Sequence, residues 1–191
     1  PGQVLLVNGA TGHFGSAGVA VALAMGAARV IAPGRSERGL NMLVNQFGER
    51  VRPVLLSGDE TIDGKHIAEA AEGPIDCLLD LLGPIHDFAP TRRAIMAVRS
   101  GGTVVLMGGV EAALDVPYKY MMRNSLVIRG QYMYPRHAPS LLAGLIRAGL
   151  FNLEPFTVHA FPLEQVNQAV QYAYDHGGAF QLTVLTPTDA L

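Results

Sequence analysis

Residues 6–15 read Leu6-Val7-Asn8-Gly9-Ala10-Thr11-Gly12-His13-Phe14-Gly15, and the fold follows from how this stretch is read. An apolar run, Val4–Val7, enters a turn with a glycine at every third position, and a small-residue segment, Ser16–Met25, follows at once. Strand, glycine turn and helix in that order place a ring of backbone N–H groups and a helix N-terminus where a pyrophosphate can sit. Gly9 allows the tight turn, Gly12 lets the main chain approach phosphates, and Gly15 lets helix and strand pack closely. The spacing is Gly-x-x-Gly-x-x-Gly rather than Gly-x-Gly-x-x-Gly. An ordinary glycine-rich strand-to-helix turn is therefore the competing reading of these residues.

About twenty residues further on, a second apolar run, Arg29–Ala32, ends in Pro33-Gly34-Arg35-Ser36. A site selective for NAD usually carries Asp or Glu here to accept the ribose 2′-hydroxyl. Gly34 and Arg35 stand there instead, and a guanidinium beside a serine hydroxyl suits a 2′-phosphate. Arg35 and Ser36 are thus expected as 2′-phosphate ligands, with Arg38 as a helper. One charge-assisted hydrogen bond contributes about 1.5–3 kcal/mol, which corresponds to a tenfold to hundredfold preference for NADP. The alternative is a solvated arginine at a helix start.

Beyond this point strand and helix signals alternate. Helices are expected over Arg38–Phe47, Thr61–Ala71 (opened by Asp59 or Thr61), Thr91–Val98 and Pro139–Arg147. Strands are expected over Val51–Leu56, Ile75–Leu81, Thr103–Met107 and Leu126–Tyr132, with Ser100-Gly101-Gly102 as the turn into the fifth. Unbroken apolar strands separated by helices imply a parallel sheet covered on both faces. The fold class is therefore α/β, a doubly wound parallel six-stranded (Rossmann) sheet with a small C-terminal αβ addition. That addition comprises a short strand, a helix over Leu163–His176 and a closing strand over Phe180–Leu185. Residues 1–152 are expected to form the dinucleotide-binding domain and 153–191 the C-terminal segment.

Composition narrows the function. The chain has 191 residues, is 49% hydrophobic and carries a formal net charge of −2. No basic run or basic–aromatic patch marks a nucleic-acid surface. The longest weakly polar run, Ala17–Ala28, is glycine-interrupted and too short to cross a bilayer, and no signal peptide is visible. The single cysteine, Cys77, excludes an intrachain disulfide, so a reducing, cytoplasmic setting is expected. The chain opens Pro1-Gly2 without an initiator methionine, which suggests a piece of a longer protein.

Several blocks together resemble the medium-chain dehydrogenase/reductase superfamily, the group of zinc-type alcohol dehydrogenases and quinone reductases. They are Pro1–Leu5, Gly9–Gly15, Ile75–Asp80 with Gly83, Val98–Gly108, Leu126–Gly130 and Phe161–Ala169. The resemblance spans essentially the whole chain in the right order. It implies that Thr11, Gly12, His13, Phe14 and Gly15 hold the pyrophosphate, with His13 contributing its backbone N–H. Leu82 and Gly83 would line the adenosine side, and Gly108, Gly109 and Val110 would lie under the nicotinamide ribose. Gly130, Gln131 and Tyr132 would offer main-chain groups to the carboxamide. Ordinary strand-to-helix turns are the plainer reading of the late glycines.

The resemblance further implies an NADP(H)-dependent oxidoreductase moving a hydride between nicotinamide and a carbonyl, alcohol or quinone-like activated alkene. The catalytic domain of that superfamily lies largely before the cofactor domain, so the 191 residues alone are expected to bind the cofactor but turn over little. The six histidines (13, 66, 86, 137, 159, 176) show no close ligand spacing, and no zinc is expected in this segment. The strand at 126–132 would, by the same resemblance, lie at the sheet edge and pair with its twin in a homodimer; the alternative is an edge hidden by the segment Pro135–Leu150.

Two rivals share the phosphate loop. A short-chain dehydrogenase needs a Tyr with a Lys four residues later, and none of the six tyrosines has one. A catalytically silent NADP-sensing regulator would match the loop but not the Gly101-Gly102 and Phe161–Ala169 blocks so fully.

Overall fold

The computed structural model describes residues 1–187. Six strands form one parallel sheet: β1 (Val4–Asn8), β2 (Arg29–Gly34), β3 (Val51–Leu55), β4 (Ile75–Asp80), β5 (Val98–Leu106) and β6 (Val127–Gly130). Their order is β3-β2-β1-β4-β5-β6, so the chain reverses direction across the sheet between β1 and β4. Alternate side chains of each strand enter opposite layers. Val7 and Val30 pack with Val19, Leu23, Leu40 and Leu43 of helices α1 (His13–Ala24) and α2 (Glu37–Phe47). Leu6, Ile31 and Leu78 pack with Ile67 and Ile95 of α3 (Glu60–Ala71) and α4 (Ala89–Met96) on the other side. Burial on both faces is why these strands read as continuous apolar runs. The expected α/β doubly wound sheet is the observed one.

The boundaries differ at informative places. Helix α1 begins at His13, inside the glycine turn. Asp59, not Thr61, caps α3, accepting from the amides of Thr61 and Ile62. Ser100–Gly102, read as a turn, lies within β5, where the pairing with β4 shifts register between Ile75 and Cys77. Arg99 bonds Asp76 at 2.7 Å, and Gly101 takes φ +71° to accommodate the irregularity. A short helix, α5 (Tyr118–Arg123), carried no clear sequence signal. β6 ends at Gly130, so Gln131 and Tyr132 lie just beyond the strand.

After α6 (Ala138–Arg147), the strands β7 (Thr157–Pro162) and β8 (Gln181–Thr186) form a separate parallel pair joined through α7 (Val166–His176). This unit docks on the α1 side of the sheet. The Phe180 N–H donates to the buried Ser16 hydroxyl at 2.9 Å, and the His13 ring bonds the Gln181 carbonyl. The Phe180 ring meets Phe156 edge-on at 5.4 Å, within a buried cluster that includes Phe151.

Among the described residues two carboxylates are buried, Asp63 in α3 and Asp80 in the sheet itself. Asp80, at the end of β4, is buried and accepts from Asn8 Nδ2 at 2.7 Å and more distantly from Thr91 Oγ1 at 3.4 Å. Burial pushes its carboxyl above the usual range, and the two hydrogen bonds only partly oppose this. The folded chain therefore holds the Asp80 proton more tightly than the unfolded chain. The penalty on the ionised form is complete above the folded pKa and shrinks as pH falls towards the ordinary carboxylate value. Asp80→Asn keeps an acceptor for Asn8 and removes the charge. Denaturant melts should show it more stable than wild type at pH 8, with the gain fading as pH is lowered towards about 4. A loss of stability that does not vary with pH would contradict this account.

Candidate cofactor site

The carboxyl ends of all six strands face one way, and their loops touch in series. Gly9 has φ +82°, and a Cβ there would lie 2.9 Å from the Leu81 carbonyl oxygen. Gly12 caps α1, and its N–H donates to the Gly9 carbonyl at 3.0 Å. A Cβ on Gly15 would lie 2.0 Å from the Gly9 oxygen, so no other residue fits without moving the turn. The first turn of α1 has neither an acidic residue nor a side-chain cap. By contrast, Ser36 caps α2 and Asp59 caps α3 through their side chains. The amides opening α1 are left for an anionic ligand.

Thr11 wedges against the end of β2: a Cβ on Gly34 would come within 2.6 Å of its methyl, and one on Gly39 within 2.9 Å of its Cβ. The phosphate loop and the Gly34–Arg38 turn are thus contiguous. Gly34 is buried, while Arg35, Ser36 and Arg38 are exposed. The Ser36 hydroxyl accepts from the Gly39 amide at 3.1 Å and keeps its own proton free to donate. Among the described residues neither Arg35 nor Arg38 has an ion-pair partner.

On the other side of Gly9, Leu82 and Gly83 follow β4 and lie against the loop after β5. The Gly109 N–H donates to the Leu82 carbonyl at 2.7 Å, and a Cβ on Gly108 would come within 2.6 Å of the same oxygen. Val110 bridges to Ile85. The row ends past β6, where the Gln131 N–H donates to Leu106 at 2.9 Å. The Gln131 amide group is occupied locally, bonding Arg129 and the Met133 carbonyl, and Tyr132 is 91% exposed.

The expected residues therefore form one rim. Its two ends, Gly34–Arg38 and Gly130–Tyr132, are four strand spacings apart, about 19 Å. This suits an elongated ligand with an anionic middle. The His13 side chain turns away from the row to Gln181, and the Phe14 ring is exposed, as are Arg35, Arg38 and Tyr132.

One feature of the rim escaped the sequence reading. Asp80 lies beneath it, its Oδ2 3.4 Å from where a Cβ on Gly108 would stand, and Asn8 braces it from β1. The signal was available, since Asn8 ends the apolar run Val4–Val7 and Asp80 is a carboxylate set between Leu78-Leu79 and Leu81-Leu82.

Known proteins share this fold. The family model of zinc-binding dehydrogenases matches residues 14–147. Sorbitol dehydrogenase of Macaca fascicularis is 29% identical over 171 residues, which cover 89% of this chain and 46% of that protein. The chain spans about half the length of the sorbitol dehydrogenases it matches. Crotonyl-CoA carboxylase/reductase AntE in complex with NADP superposes with a TM-score of 0.76 at 16% identity, over 99% of this chain and 51% of that one. A short chain alcohol dehydrogenase from E. coli CFT073 complexed with NADH gives 0.76 at 19% identity, over 97% and 52%. With its matched segment running from the phosphate loop to the end of α6, the chain belongs to the zinc-binding dehydrogenase family of the medium-chain dehydrogenase/reductase superfamily.

Proposed function

We propose that this chain is the NADP(H)-binding part of an oxidoreductase acting on a small carbonyl, alcohol or quinone-like activated alkene. The observation that carries the reading is the rim itself. Its glycine turn has no room for a Cβ at Gly15, and it runs without a break into a β2 end that bears Arg35 and Ser36 where a carboxylate would favour NAD. Thr11–Gly15 and the α1 N-terminus would hold the pyrophosphate. Leu82 and Gly83 would flank the adenosine, Gly108–Val110 the nicotinamide ribose, and the main chain at Gly130–Tyr132 the carboxamide. When bound, the nicotinamide supplies the hydride chemistry. The chain's own part is to bind the cofactor, orient it and exclude water from one side.

Zinc is not assigned to this chain. Among the described residues no three His, Cys, Asp or Glu side chains gather as ligands. Burial, helped by the neighbouring Asp76, pushes the Cys77 thiol up. Residues 1–152 are read as the cofactor domain, and 153–191 as the segment that returns to a catalytic domain elsewhere in the parent protein. Among the described residues no helix is long and apolar enough to cross a membrane. With its single half-buried cysteine, the protein is read as cytoplasmic. The sequence has no basic run that would call for a nucleic-acid partner.

Fluorescence titration tests the cofactor reading. NADPH should bind at least about tenfold more tightly than NADH, and Arg35→Gln should reduce that preference. Gly15→Ala should abolish binding of both nucleotides. Equal affinity for the two would overturn the NADP assignment, and undiminished binding by Gly15→Ala would overturn the site.

The edge strand β6 supports a homodimer through residues 126–132: among the described residues it pairs only with β5, and Val127 is 55% exposed. Sedimentation at micromolar concentration should show a dimer that Val127→Lys dissociates. A monomer at every concentration would contradict the assembly.

A further inference from the structure

A cavity of about 530 Å³ opens between two parts of the chain that are far apart in sequence. Thr11, Ser36 and Arg38 line one side, from the phosphate loop and the start of α2. His159 of β7 and Tyr172 and His176 of α7 line the other. Thr11 belongs both to the phosphate loop and to this cavity. A dinucleotide whose pyrophosphate sits at Gly12–Gly15 and whose adenosine ribose sits at the end of β2 would thus present its 2′ substituent here.

The far wall is an ordered polar cluster. His159 Nε2 lies 3.0 Å from Gln181 Oε1, and its Nδ1 lies 3.1 Å from the Tyr172 hydroxyl. The Tyr172 ring stacks on His176 with centroids 4.3 Å apart and planes 13° from parallel. His176 Nδ1 lies 3.2 Å from the Tyr172 carbonyl and donates to it, while Nε2 has no partner among the described residues. The cavity also carries a carboxylate, Asp175, which accepts from Gln171 Nε2 at 2.9 Å. With Nδ1 donating to the Tyr172 carbonyl, an imidazolium at His176 would offer its Nε2–H to an anion in the cavity, alongside the Arg38 guanidinium.

We propose that His176 is a cofactor-specificity residue, which with Arg38 holds the 2′-phosphate of NADP(H) between α2 and the C-terminal segment. The proposal rests on the NADP reading above and adds a second wall to that site. It also gives the C-terminal unit a role in cofactor choice, beyond returning the chain towards a catalytic domain.

The test titrates the full 191-residue chain with NADPH, NADH and 2′,5′-ADP in four forms: wild type, His176→Gln, His176→Arg and Arg38→Gln. His176 ends a helix and is exposed, and a thermal melt checks that each variant folds. His176→Gln should weaken NADPH and 2′,5′-ADP about threefold to tenfold and leave NADH unchanged, while His176→Arg retains the preference. Two results would overturn the role of His176 and leave the NADP reading standing. One is an unchanged NADPH:NADH ratio in His176→Gln alongside a lowered ratio in Arg38→Gln. The other is an equal loss of both nucleotides in His176→Gln, which would mark a merely structural role. A wild type that does not prefer NADPH would overturn the proposal and the NADP reading together.

Discussion

The contact between Gly15 and the carbonyl oxygen of Gly9 is the constraint on which the site depends. A side chain at position 15 would place Cβ 2.0 Å from that oxygen, well inside any allowed separation. Because it is absent, α1 can start directly above the end of β1, and its opening amides point into the rim. Gly9 in turn approaches Leu81, and the Leu82 carbonyl receives Gly109. Close backbone approaches therefore link three loops that are distant in sequence. Each tolerates no bulk, which is why glycines rather than reactive side chains dominate this surface.

The same helix start also anchors the C-terminal unit. Ser16 donates to the His13 carbonyl and accepts from the Phe180 amide, and the His13 ring bonds Gln181. Residues three apart on α1 thus face the C-terminal strand while the amides beside them face the rim. Phe180 adopts φ +63°, uncommon for a bulky residue, and its ring is buried near Phe47 and Phe156. The docking of residues 156–186 and the shape of the phosphate loop share side chains, so the two parts of the chain are mechanically joined.

Much of this was legible in the residues. The apolar runs and their separation by helical periodicity led to the parallel sheet, because strands buried on both faces leave that imprint. The glycine triplet located the turn, because close approach of main chains demands glycine. What the sequence hid depended on tertiary contact. The true start of β5 at Val98 rests on the pairing of Arg99 with Asp76 and on the irregularity at Gly101. The His13 ring was read as a bystander in the loop because its partner lies 168 residues away. That Arg38 and His176 line one cavity could not be read either, since nothing in local pattern relates the start of α2 to the end of α7. Asp80 is the intermediate case: its position within an apolar run was visible, but its burial was not.

The central claim is that one ligand lies along the whole rim, from the end of β2 to the end of β6. Amide chemical-shift perturbation of the full chain during titration with NADPH tests it most directly. The account predicts that the largest shifts fall at residues 12–15, 34–39, 82–83, 108–110 and 130–132, on both sides of the point where the strand order reverses. Shifts confined to the surface between α1 and α6, or none at saturating nucleotide, would contradict it.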